Sequence, residues 1–252
     1  METNKIAAGG LKKLFIAGLL SVLMLVFGLL SLAIALMALK TTGVGNGFTI
    51  IIGLVEIGAA IAAFVLQLVG LSRLSKIHPA FNVAFILFLV GIVGAFIKVF
   101  IIMAINGAVP LVLDIIFQVV AAAVIYFVFR GGRALLCDAG RTDTAAFGRL
   151  ACIIYMACAA IEVIGSLLSG GLGYNGALAV SVITGLAGIA ALAFYLVFLY
   201  RASSELAYIA DQQAQELERD EEEALDGEIW EEGEWEIGAQ EGKGEDGAEE
   251  EP

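Results

Sequence analysis

Histidine is almost absent from this chain of 252 residues: His78 is the only one, and it stands beside Pro79 between two apolar runs. A serine–histidine protease working inside a membrane needs an imidazole within an apolar run, which His78 does not provide. A zinc site needs several nitrogen or sulfur ligands at defined spacing, and neither one histidine nor the three cysteines supply them. Cys137 falls in a connection, while Cys152 and Cys158 fall inside an apolar run, and there is no C-x-x-C pair. A disulfide framework is therefore not expected, and the cysteines read as small apolar residues. The chain also lacks a G-x-x-x-x-G-K-[ST] phosphate loop and an N-x-[ST] acceptor. Charges gather at 138–143, but their spacing matches no catalytic pattern and reads as a solvated turn. These absences point away from an enzyme and from any metal or cofactor.

Basic residues are scarce in a more informative way. Six apolar runs, 14–39, 48–71, 80–105, 109–129, 150–168 and 177–200, are each long enough to cross about 30 Å of hydrocarbon. Backbone amides in lipid must be paired within their own segment, so such runs form helices. Barrel strands alternate polar and apolar residues, and these runs do not. Lys5, Lys12, Lys13, Arg73, Lys76, Arg130, Arg133, Arg141, Arg149, Arg201, Arg219 and Lys243 fall before run one, in every second connection or after run six. Lys40 alone lies in the other set. The positive-inside bias then places both termini in the cytoplasm, in a cell (plasma) membrane protein with the bilayer as its solvent. A cleaved signal peptide competes for run one, with small residues at Ala33 and Ala35. A signal core spans only about 7–15 residues, so run one is expected to remain in the membrane.

The fold expected is all-α: a six-helix transmembrane domain over 1–204 and an acidic cytoplasmic tail over 205–252. Asn46-Gly47, Asn106-Gly107 and Asn175-Gly176 each precede an even-numbered run, and Arg73, Arg133 and Arg201 follow their glycines by 26, 26 and 25 residues. The chain can be read as three repeated hairpins. It can equally be read as tight turns that favour Asn and Gly because both tolerate positive φ, with arginine ending a run at the basic side. The second is the simpler reading.

Four ionisable residues interrupt the runs: Glu56, Lys98, Asp114 and Glu162. Counted at about 1.5 Å per residue, they and Thr184 lie at one depth, roughly 8–12 Å below the outer boundary. Each charge costs at least about 2.5–3.5 kcal/mol at a helix centre, so each should face protein or water. Lys98 paired with Asp114 or Glu56 would make the layer structural. Unpaired acids would line a cavity for a cation, amine or proton. Ala59 and Ala63, with Ser181, Gly185 and Gly188, form small-residue ridges suited to close helix contact.

The net charge of −12 hides a division. Residues 205–252 carry 20 acidic side chains against Arg219 and Lys243. Helix is expected to continue from Arg201 to about Leu225, with Leu206, Ile209 and Leu217 as a thin apolar stripe. Beyond it, Glu and Gly repeats cannot bury enough apolar surface to offset chain entropy, and disorder is expected. Ile229, Trp230, Trp235 and Ile237 stand out in that background as a docking segment that orders on a protein partner. The function expected is association, as an adaptor, anchor or accessory subunit, without nucleic acid and compatible with a homo-oligomer. A small transporter or channel using the charged layer is the alternative.

Overall fold

The computed structural model describes residues 2–38, 46–105, 111–169 and 174–241, with side chains described over 2–28, 30, 52–101, 112–168 and 175–220. Six helices follow one another: α1 (Glu2–Ala38), α2 (Asn46–Leu74), α3 (Pro79–Ile105), α4 (Leu111–Asp138), α5 (Thr142–Ser169) and α6 (Tyr174–Glu241). All six are long and apolar enough to cross a membrane, which marks an integral membrane protein of the multi-pass kind. The chain divides into two compact units, Glu2–Ala207 and the segment from Tyr208 onward.

Two of the connections show how sequence ends one helix and starts the next. At the close of α4, Gly140 adopts φ 75°. Its N–H donates to the Cys137 carbonyl, and the Arg141 N–H reaches back to Leu136 at 2.8 Å. This is a Schellman cap, where glycine takes the left-handed conformation at no steric cost. The charged segment 138–143 is thus a helix stop and turn. At the start of α3, His78 Nδ1 accepts the Ala80 N–H at 3.1 Å, and Pro79 occupies the first helical position, where its missing N–H costs nothing. The single histidine is a helix cap. The Asn-Gly pairs behave differently from the turn reading. Asn46 is the first residue of α2, and Asn175-Gly176 lie in the first turn of α6. Neither glycine has positive φ. Lys40 and Asn106-Gly107 lie outside the described residues.

The core of the first unit sits at one end. Ala7, Leu11, Leu14, Leu71, Leu74, Phe81, Phe129, Leu136, Ala151, Phe198 and Leu206 belong to one buried cluster. These positions flank the α2–α3 and α4–α5 turns and include the first turns of α1. At this end the helices extend past their apolar runs: α1 begins at Glu2, α4 ends at Asp138 and α5 begins at Thr142. Cys137 is accordingly in the last turn of α4 and exposed, while Cys152 and Cys158 are half-buried, and all three are free thiols.

Glycines set the spacing here. A Cβ on Gly131 would meet the Phe81 ring at 2.6 Å, and Cβ atoms on Gly132 and Gly148 would meet Phe198 at 2.9 and 2.5 Å. Phe198 is fully buried and lies 4.8 Å from the Phe129 ring centroid. Small residues let the backbones approach and leave room for these rings. The expected ridges contribute unevenly. Ala59 and Ala63 are buried, but Ser181 is exposed and a Cβ on Gly185 would meet nothing. Polar contacts fasten the same end: Glu205 accepts the Thr144 hydroxyl at 2.9 Å and pairs with Arg141 at 3.2 Å. Arg201 stacks over Phe147 at 4.8 Å.

Candidate functional site

The interrupting charges are distributed over the seams between consecutive helices, away from the packed end. On the α1–α2 seam, Glu56 Oε1 is buried without a hydrogen-bond partner, and a Cβ on Gly28 would lie 3.9 Å from it. On the α3–α4 seam, Lys98 Nζ donates to Asp114 Oδ1 in an ion pair. The ammonium also lies 5.9 Å from the centroid of the Phe117 ring. That ring is seated on Gly94, one turn before Lys98, where a Cβ would come within 2.5 Å. The ion pair and its aromatic neighbour thus fix α3 to α4.

On the α5–α6 seam, Glu162 lies across Gly188, where a Cβ would stand 2.6 Å from Oε1. Among the described residues its carboxylate makes neither an ion pair nor a hydrogen bond. Thr184 does not join it. The Thr184 hydroxyl donates to the Val180 carbonyl of its own helix at 3.1 Å, and its methyl group packs on Gly165. The charges expected in one layer thus lie on three separate seams, two of which hold a carboxylate without a cationic partner among the described residues.

Two chambers adjoin these seams. The larger, of about 680 Å³, is apolar and lies among α2, α3 and α4, with Phe64, Phe88, Phe117 and Lys98 on its walls. The smaller, of about 180 Å³, is lined by Glu162, Tyr155, Tyr195, Gln67 and Ser21, with Gly18 and Gly188 giving it room. Gln67, Ile125 and Tyr195 belong to the walls of both. The pattern behind the small chamber is helical. Tyr155 and Glu162 are seven residues apart on α5, as are Gly188 and Tyr195 on α6, so each pair lies on one face two turns apart. Depth counting passed over these tyrosines, along with Gln67 and Ser21, because none is charged. It also passed over Gln118, whose amide N–H donates to the Ser166 hydroxyl at 3.3 Å between α4 and α5 while its Oε1 is buried without a partner.

In the second unit, Gln212 donates to the Tyr208 hydroxyl at 2.8 Å and Leu217 is exposed. Ile229, Trp230, Trp235 and Ile237 fall within the described backbone of α6, whose helix runs past Leu225 to Glu241. Residues 242–252 lie outside the described residues. Among the described residues, no group of three or more histidine, cysteine or acidic side chains is placed to hold a metal ion.

Comparison with protein-family models, with curated proteins and with solved structures gives no match.

Proposed function

We propose that this chain is a non-enzymatic cell-membrane protein that acts by association, recruiting a cytoplasmic partner through its acidic segment. In this reading the six helices cross the bilayer with both termini in the cytoplasm, because the basic residues of the first unit, Lys40 and Lys98 apart, lie near the start of α1, the α2–α3 and α4–α5 turns and the end of the apolar part of α6. The single observation that carries the association reading is the 229–237 stretch. Two tryptophans and two isoleucines recur among glutamates, where an inert solvating tail has no use for large apolar surface. A helix of Glu- and Gly-rich sequence has little intrinsic stability in isolation. The segment after Leu225 is then ordered chiefly when a basic, apolar-lined partner covers it. The three hairpins, each with a polar group at its own seam, are compatible with an ancestral repeat.

The test uses the full chain in native membranes, cross-linked and purified at moderate salt. Wild-type protein should carry one reproducible cytoplasmic partner, and Trp230→Ala with Trp235→Ala should lose it while keeping expression. Capture that survives the double change and disappears only as salt is raised would make the tail a non-specific polyanion.

A second reading, transport of a cation, amine or proton, is favoured by the carboxylates of Glu56 and Glu162, neither of which is ion-paired among the described residues.

A further inference from the structure

We propose that the small chamber around Glu162 binds an organic ammonium group, with Glu162 as its counter-charge and the adjoining apolar chamber receiving the rest of the ligand. This deepens the cation reading just given and rests on it.

The chemistry follows from what lines the chamber. A carboxylate in an apolar surrounding is costly unless a cation or a proton neutralises it. Among the described residues no cationic side chain pairs with Glu162: Lys98 is committed to Asp114, and Arg141 is engaged with Glu205 at the packed end. Gly188 leaves room for the carboxylate where it lies, since a Cβ there would stand 2.6 Å from Oε1 and push it aside.

Around it stand groups that suit an ammonium better than a bare metal ion. Tyr155 and Tyr195 present two aromatic rings with centroids 6.2 Å apart, and ring faces attract organic cations. The Ser21 hydroxyl and the Gln67 amide oxygen can accept N–H donors. One acid with neutral oxygens falls short of the carboxylate-rich sets that hold divalent ions.

The size of the chambers sets the rest of the ligand. About 180 Å³ suits an ammonium head and its nearest carbons, while the neighbouring 680 Å³ is lined by Phe64, Phe88 and Phe117. Sites for small molecules are mostly apolar with a few placed polar groups. Here the polar groups are at one end, and Gln67 and Tyr195 stand in the wall common to both chambers. A primary amine carrying an apolar body matches that division of polarity.

The test is equilibrium binding of phenethylammonium to the full chain in lipid nanodiscs, with neutral 2-phenylethanol as the uncharged counterpart. Wild-type protein should bind the ammonium saturably and the alcohol much more weakly. Glu162→Gln should weaken ammonium binding by roughly thirtyfold or more, the scale of removing a charge from a desolvated pair. Gly188→Ala keeps the charge but displaces the carboxylate, and should also weaken binding. Tyr195→Phe should have the smaller effect, because the ring face remains. Asp138→Asn alters an acid at the end of α4, outside both chambers, and should leave affinity unchanged. Thermal unfolding of each variant separates loss of the site from loss of the fold, and Gly188→Ala decides the matter if Glu162→Gln does not fold.

Equal binding of amine and alcohol, or undiminished binding in both Glu162→Gln and Gly188→Ala, would overturn the site. Proton uptake lost in Glu162→Gln, with no ammonium binding in wild type, would overturn it too, leaving Glu162 as a proton site. Flux in proteoliposomes tests the transport reading separately. Glu162-dependent binding without flux supports the site and removes transport, whereas flux untouched by Glu162→Gln shows transport through another route and contradicts the site.

Discussion

Lys98→Met should destabilise the first unit by about 2–3 kcal/mol, the scale on which an unneutralised charge is penalised at membrane depth. The loss arises from the partner left behind. Asp114 would keep a carboxylate near the start of an apolar helix with no ammonium to offset it, and must either take up a proton or reach for water. Removing one member of a low-dielectric pair costs more than removing both. Lys98→Met with Asp114→Asn should therefore recover most of the stability. Lys98→Met with Glu56→Gln should not, because Glu56 lies on the α1–α2 seam against Gly28. Unfolding in a graded denaturing detergent reads all four proteins. Equal rescue by the two companions would mean that Lys98 answers to a diffuse field and not to Asp114.

A larger loss is expected at the packed end. Phe198→Ala should cost about 3–5 kcal/mol, the range for truncating a large buried aromatic side chain. The Phe198 ring fills the space that Gly132 and Gly148 leave open and meets Phe129 at 4.8 Å. No neighbour can relax into that volume without leaving its own contacts, since Phe129, Leu199 and Ala202 are themselves fully buried. Phe198→Leu should recover part of the loss. Replacing Gly148 by leucine should damage the same place from the other side, by overpacking. The midpoint of thermal unfolding measures each change. A Phe198→Ala protein as stable as wild type would mean that this end is not the principal core.

The six helices were legible because hydropathy over about 20 residues is a property of composition, and no tertiary detail is needed to read it. The core was less so. Leu11 and Leu14 bracket Lys12 and Lys13, and Leu135 and Leu136 follow Arg130 and Arg133. A search for uninterrupted apolar runs stops at these cations, so the first turns of α1 and α5 and the last turns of α4 were read as flanks, although their apolar faces are buried. A helix there needs only one apolar face.

The interrupting charges were visible as residue types. Their division among seams was not, because depth carries no information about angle around the bundle. The small polar chamber had a signal that went unused: the seven-residue spacing of Tyr155 with Glu162 and of Gly188 with Tyr195. The Asn-Gly pairs misled for a physical reason. Asparagine suits a helix start as well as a turn, and Asn46 takes that role in α2.

One measurement tests the topology directly. Reporters that are active on only one side of the membrane, fused after residues 43, 76, 108, 140, 173 and 252 of otherwise intact protein, assign each connection to a side. The expected pattern is outside, inside, outside, inside, outside, inside, with the basic α2–α3 and α4–α5 turns and the acidic end in the cytoplasm. A reporter at 252 that is active outside the cell would contradict it, removing both the cytoplasmic partner and the outer position of the Glu162 chamber.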